Sequence, residues 1–230
     1  MKKLITLMAL LIVSAAFAQQ ETSSPDYTAI QKNIKDKSSA YHYTKLMERY
    51  IKADTTLTLN ERRHLYYGFA FMPAKMDEIA IRATEQQLKE ALHKPDPNQK
   101  DMADVINYSG MLLEAYPFSI TLKQYRAFCF ETLGRYDEAA AEKAQTEMLI
   151  DAMLSSGDGK SAQTAIHVID AGNEYELVQI MGFETLDDEY LVNNKYDYLT
   201  LNKNAYSLPG LYFDASVTPK TAAARQTAGL

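Results

Sequence analysis

Cysteine, tryptophan and long apolar runs are what this 230-residue chain has least of: one Cys, no Trp and a single extended apolar stretch at the start. One cysteine, Cys129, cannot close an internal disulfide, so a cystine-stapled scaffold is excluded and stability must come from a packed core. A single apolar run excludes a polytopic membrane protein. Nine Gly and seven Pro are too few for a collagenous or low-complexity chain. No cluster of Lys and Arg forms a basic stripe, and the formal charge is −6, which repels phosphate backbones and anionic lipid. Nucleic acid is therefore not an expected partner. What is present is an ordinary globular composition, 47% apolar and 23% charged, with 16 tyrosines as its one unusual feature.

The apolar run is an address. Lys2 and Lys3 form a positive start, residues 4–13 an apolar core, and Ala16-Phe17-Ala18 a small-residue cleavage signal before Gln19. Residues 4–18 are shorter than the roughly 20 a helix needs to cross the hydrocarbon core. The expectation is a signal peptide over 1–18 that is removed, leaving an exported chain, periplasmic or secreted, soluble and with no membrane span. Losing Lys2 and Lys3 takes the charge from −6 to −8. In an oxidising compartment the lone Cys129 is expected to be buried and inert.

Residues 19–24 are small and polar and read as a flexible leader. Over 25–155 the apolar residues recur at helical spacing, as in Tyr43, Leu46, Met47, Tyr50 and Ile51. Helix starts are expected at Ser24-Pro25, at the capping box Thr58-Leu59-Asn60-Glu61, and at Asp96 with Gln99 three residues on. Gly134 joins two further helices, 119–133 and 136–154, through a turn so short that they must be antiparallel. Around this turn Ala127, Phe130, Gly134 and Tyr136-Asp-Glu-Ala139 are similar to the core of a tetratricopeptide repeat, with Pro117 where a preceding repeat would close. Lys123, Arg126, Lys143 and Thr146 depart from that pattern. The resemblance implies a helical scaffold that binds a protein or peptide.

After residue 154 the period changes. Segments 164–169, 175–181, 190–192, 196–201 and 211–215 read as short strands, separated by turn chemistry such as Asn193-Asn194 and Pro209-Gly210. Short connections favour antiparallel pairing. The expected architecture is α+β: tetratricopeptide-like antiparallel helical hairpins over 25–155, a small antiparallel β-meander over 156–215 packed on the helices, and a flexible tail over 216–230. The stretches Arg63-His-Leu-Tyr-Tyr-Gly68-Phe, Ser156-Gly-Asp-Gly-Lys-Ser, Ala165-Ile-His-Val-Ile169, Glu174-Tyr175 and Leu211-Tyr-Phe-Asp-Ala-Ser216 resemble domain-of-unknown-function family 4919, exported proteins of Bacteroides-type bacteria. That resemblance implies export and an α+β layout, and it assigns no catalytic residue.

Catalytic signatures are weak. Gly157-Asp-Gly159-Lys160-Ser161 echoes the end of a phosphate-binding loop, but Leu154 stands where its first glycine belongs, and a helix precedes it where a strand should, so a structural turn is the expected reading. His42, His64, His93 and His167 have no second ligand at metal spacing. His167 in a strand and His64 near Glu61 are the candidates for an acid/base couple. Asp187-Asp188-Glu189 lacks the alternation of a calcium loop and reads as a solvated turn. No catalytic, cofactor or metal residues are assigned. The tyrosines supply the candidate binding surface, Tyr66, Tyr67, Tyr108 and Tyr125, since tyrosine offers apolar area with a polar tip. Adjacent residues on a helix point about 100° apart, so Tyr66 and Tyr67 cannot both be expected to face the core. The sequence points to a non-enzymatic exported protein- or peptide-binding module. The competing expectation is a periplasmic ligand-binding or hydrolytic protein with its site between helices and sheet.

Overall fold

The computed structural model describes residues 22–73 and 78–218. The signal peptide, residues 19–21 of the leader and residues 219–230 of the tail lie outside the described residues. Among the described residues eight α-helices run in order: α1 Tyr27–Lys35, α2 Tyr43–Ile51, α3 Leu59–Gly68, α4 Glu78–Leu92, α5 Gln99–Ala115, α6 Ile120–Thr132, α7 Tyr136–Leu154 and α8 Gly172–Ile180. Four strands accompany α8: β1 Ile166–His167, β2 Thr185–Val192, β3 Tyr196–Leu201 and β4 Gly210–Asp214. The architecture is α+β. No helix among the described residues is long and apolar enough to cross a membrane.

The chain divides into two compact units. One holds Thr44–Leu57 and Pro73–Leu149; its neighbours α4, α5 and α6 share a core of Leu88, Ala91, Val105, Leu112, Leu122 and Cys129. Cys129 is buried there, which pushes its thiol up to about 11. Gly134 turns the chain at φ 73° between α6 and α7, where a side chain would be strained. The seam between those helices is ionic: buried Lys123 and Glu142 pair at 3.4 Å, Arg126 shares the same carboxylate, and Lys123 donates to Gln145 at 2.6 Å.

The other unit holds α1, α3, the end of α7, α8 and the sheet. Helix α3 begins at the expected capping box: Thr58 accepts from the Glu61 N–H and Glu61 caps Thr58 in return. Two other starts shift. The cap of α1 is Asp26, not Ser24, and that of α5 is Asn98, not Asp96, because Asn98 and Asp101 form a reciprocal capping box in which each side chain bonds the other's backbone N–H.

The sheet order is β1-β4-β3-β2. Strands β2, β3 and β4 form the expected antiparallel meander, but β1 pairs with β4 in parallel, Ile166 beside Phe213 and His167 beside Asp214. The sheet is therefore mixed. Parallel pairing requires a long connection, and the chain between β1 and β4 supplies one by passing through α8, β2 and β3. The expected strand at 175–181 is instead helix α8. Its buried residues, Asn173, Glu174, Leu177 and Val178, repeat every four positions, and the Asp170 carboxylate starts the turn by accepting the Gly172 N–H at 2.8 Å. The acidic run 187–189 lies inside β2 and not in a turn. The leader is tied down at Ser23, whose N–H bonds to Ser155 O at 3.0 Å and whose carbonyl accepts from Arg63. Val217, within the expected tail, is buried.

Candidate functional site

Side chains alternate across a strand, so the register decides which residues share a face. Leu199, Leu201, Leu211 and Phe213 fill the buried face of the sheet. On the opposite face Tyr190 stands beside Tyr198, and Tyr198 beside Tyr212, a row of three tyrosines across β2, β3 and β4. Two residues along the strands, a second row carries His167 beside Asp214, with Tyr196 on the next strand.

The tyrosine row is partly open to solvent, with Tyr190 52% exposed. Tyr198 and Tyr212 have ring centroids 4.6 Å apart and planes tilted by 47°. Gly210 makes this possible, since a Cβ there would sit 2.4 Å from the Tyr198 ring and displace it. None of the Tyr190, Tyr198 and Tyr212 hydroxyls bonds to a described residue.

The second row ends in a polar cluster. Asn193 and Asn194, both left-handed at φ 55° and 54°, turn the β2–β3 hairpin and deliver Lys195. Lys195 Nζ donates to Asp214 Oδ2 at 2.8 Å and to the Tyr196 hydroxyl at 3.2 Å. Asp214 Oδ1 accepts the Ser216 N–H at 3.0 Å. His167 lies with Nδ1 3.7 Å from Asp214 Oδ2 and 3.2 Å from the hydroxyl of Tyr27 on α1. Its backbone is held as well: the N–H donates to Ser156 Oγ at 2.8 Å, and the carbonyl accepts from Tyr67 at 3.2 Å. His167 Nε2 has no partner among the described residues.

Electrostatics set the protonation states. Burial holds the His167 imidazole below its ordinary value; Asp214 pulls the other way, while Lys195 and Arg63 add to the depression. Burial pushes the Asp214 carboxyl up, but hydrogen bonds from Lys195 and Ser216 outweigh it and hold it below the usual range. Lys195 is raised by its bond to Asp214. Tyr27 is raised, first by burial and then by neighbouring Tyr67 and Asp214, so it stays a neutral phenol. At neutral pH the cluster is a neutral imidazole beside a closed Lys195–Asp214 pair. Among the described residues no group of three or more His, Cys, Asp or Glu is placed to hold a metal ion.

Two of the four tyrosines expected to form a binding surface are closed off from solvent. Tyr66 and Tyr67 are both fully buried. Helix α3 is packed on more than one side: Tyr66 donates to Asn173 at 2.7 Å and accepts the Ile169 N–H, while Tyr67 reaches Ala152 and His167 carbonyls and meets Tyr27 edge-on. Tyr108 and Tyr125 belong to the other unit and pack half-buried on its core. His64 is no acid/base group, because Nδ1 lies 2.8 Å from Asn60 O, Nε2 lies 3.1 Å from Asn33 Nδ2, and Glu61 is spent on its cap. The Gly157–Ser161 loop is a structural turn. A Cβ on Gly157 would lie 2.3 Å from the carbonyls of Thr164 and Ala165, and Gly159 sits at φ 69°. Tyr190, Tyr198 and Tyr212 were missed because their signal, alternate tyrosines on adjacent strands, exists only once the register is known.

A family model described as Domain of unknown function (DUF4919) matches residues 28–223. The chain belongs to this family. No curated protein and no solved structure matches it. In this DUF4919 chain four of the stretches that carry the resemblance meet around one histidine: Arg63 and Tyr67 from α3, Ser156 from the turn after α7, His167 itself from β1, and Asp214 from β4. Arg63 fixes that junction, with Nη1 donating to Ser155 O at 3.0 Å and to its Oγ at 2.7 Å.

Proposed function

We propose that the protein is exported, to the periplasm or beyond, and acts there as a non-enzymatic module that binds a protein or peptide through the tyrosine-bearing face of its sheet. The Tyr190–Tyr198–Tyr212 row carries this reading. It combines solvent access, apolar area and three hydroxyls that bond to no described residue, the features of an aromatic contact surface. The test compares the mature chain with a Tyr190→Ala/Tyr198→Ala variant of unchanged circular dichroism. Each is cross-linked in envelope extract. A protein captured by the first and lost by the second supports the reading, and identical capture by both overturns it.

A second reading, a ligand-binding or hydrolytic site between helix and sheet, is favoured by one observation: among the described residues His167 Nε2 has no partner, while Tyr27 and Asp214 hold the other edge of the ring. Such an imidazole takes a proton from water as that water adds to an acyl carbon, and returns it to the leaving oxygen as the acyl C–O bond breaks, which leaves the ring neutral again. Hydrolysis of p-nitrophenyl acetate that falls to the level of His167→Gln would support it. Equal rates for the two proteins would remove it.

A further inference from the structure

With one cysteine the chain closes no internal disulfide, and with no tryptophan its 16 tyrosines are the aromatic groups that yield an electron most readily. Two of them are held together where an oxidant can reach. Leu201 donates its N–H to Pro209 O, and hydrogen-bonded pairs alternate with non-bonded ones along an antiparallel ladder. Counted from that bond, Leu199 and Leu211 are a bonded pair and Tyr198 and Tyr212 a non-bonded one, the kind in which facing side chains come closest.

The rings are in contact, with centroids 4.6 Å apart and planes tilted by 47°. Gly210 keeps Tyr198 in that position. A Cβ there would lie 2.4 Å from Tyr198 Cζ and 2.5 Å from its hydroxyl oxygen, so the phenol end rests against the strand only because position 210 carries no side chain. Both tyrosines are half-buried, which leaves solvent a way in. Tyr66 and Tyr67 also meet, at 5.0 Å and 72°, but both are fully buried. Cys129, whose thiol would quench a nearby radical, is buried in the other unit.

We propose that Tyr198 and Tyr212 form an oxidative modification site, in which hydrogen peroxide acting through a haem peroxidase couples the two rings into a dityrosine that staples β3 to β4. Each phenol gives up one electron and its hydroxyl proton. The two phenoxyl radicals join by a C–C bond between carbons ortho to oxygen, and the hydrogens on those carbons move to the oxygens, which restores both hydroxyls and both aromatic rings. Peroxide takes up the two electrons and two protons and leaves as two waters. Like a disulfide, the link restricts the unfolded chain. It keeps both rings on the open face, so it neither needs nor forbids the binding role.

The test treats the dilute mature chain with a haem peroxidase and hydrogen peroxide, isolates the monomer and digests it with trypsin. Cleavage after Lys195, Lys203 and Lys220 separates the two tyrosines into peptides 196–203 and 204–220. The expected product is these two peptides joined, lighter than their sum by two hydrogen atoms, with blue dityrosine fluorescence in the monomer. Fragmentation of the joined peptides is expected to place the link on Tyr198 and Tyr212. Tyr198→Phe and Tyr212→Phe, which keep each ring and remove only a hydroxyl, are each expected to lose the product, and Tyr190→Phe to retain it. A link that persists in either of the first two variants, or that joins other tyrosines, overturns the proposal. So does coupling found in dimers alone, or oxygen added to the chain with no link formed.

Discussion

Tyr66 and Tyr198 place one residue type in two settings. Tyr66 is sealed in the core with its hydroxyl accepting from Ile169 N–H and donating to Asn173, so Tyr66→Phe removes both bonds from a buried site. Guanidinium unfolding is expected to show a loss of about 1–3 kcal/mol. The same change at Tyr198, whose hydroxyl bonds to no described residue, is expected to leave stability within about 0.5 kcal/mol, so any effect on binding there is a surface effect. Gly157 is a residue-scale constraint of another kind. Gly157→Ala drives a Cβ against two backbone carbonyls, which cannot rotate away as a side chain can, and about 1–3 kcal/mol is expected to be lost in the same assay. The glycines that sequence comparison with a phosphate loop brought forward thus serve close packing.

Among the elements, the α6–α7 seam is the most exposed to single changes. Lys123 and Arg126 both converge on Glu142, and Lys123 and Glu142 are each more than nine-tenths buried. Glu142→Ala strands two cations, one of them deep in the seam, and is expected to cost about 3–5 kcal/mol. Replacing Lys123, Arg126 and Glu142 together with apolar residues of similar volume is expected to recover most of that loss, measurable as a return of the thermal midpoint. Lys123 and Arg126 are the positions at which the hairpin departs from a tetratricopeptide pattern, and the ion cluster gives those departures a physical role. Helix α8 shows where pattern reading fails. Residues 175–181 hold alternate apolar positions, yet a run this short fits either period. The deciding contacts, buried Asn173 bonded to Tyr66 and the Asp170 turn, lie in other parts of the chain or just before the run.

At the scale of the whole molecule, pH is the lever. His64 and His167 are both held below their ordinary value by burial. For each, the unfolded chain takes up its proton at higher pH than the native state does, so native stability falls as pH drops below about 6.5. Asp214, depressed in the native state, adds a loss at still lower pH, below the usual carboxylate range. Denaturant midpoints are expected to be lower at pH 5.5 than at 7.5, and the difference to shrink in His167→Gln. An equal difference in that variant would show that His167 contributes nothing to the slope.

Much of the layout was legible in the residues alone. The capping box at Thr58 and Glu61, the turn at Gly134, the span of α7 and the hairpin turn at Asn193-Asn194 are local signals, because capping and left-handed turns depend on side chains within a few positions. The same holds for the family stretches and for the α+β class, which follows from a change of period along the chain. Only the tertiary structure decided which tyrosines face solvent. Burial of Tyr66 and Tyr67 depends on what packs on both sides of α3, and the open row of Tyr190, Tyr198 and Tyr212 depends on cross-strand register. The meeting of Tyr27, His167, Lys195 and Asp214 rests on a parallel β1–β4 pairing closed over more than forty residues, a distance at which local sequence carries no information about partners.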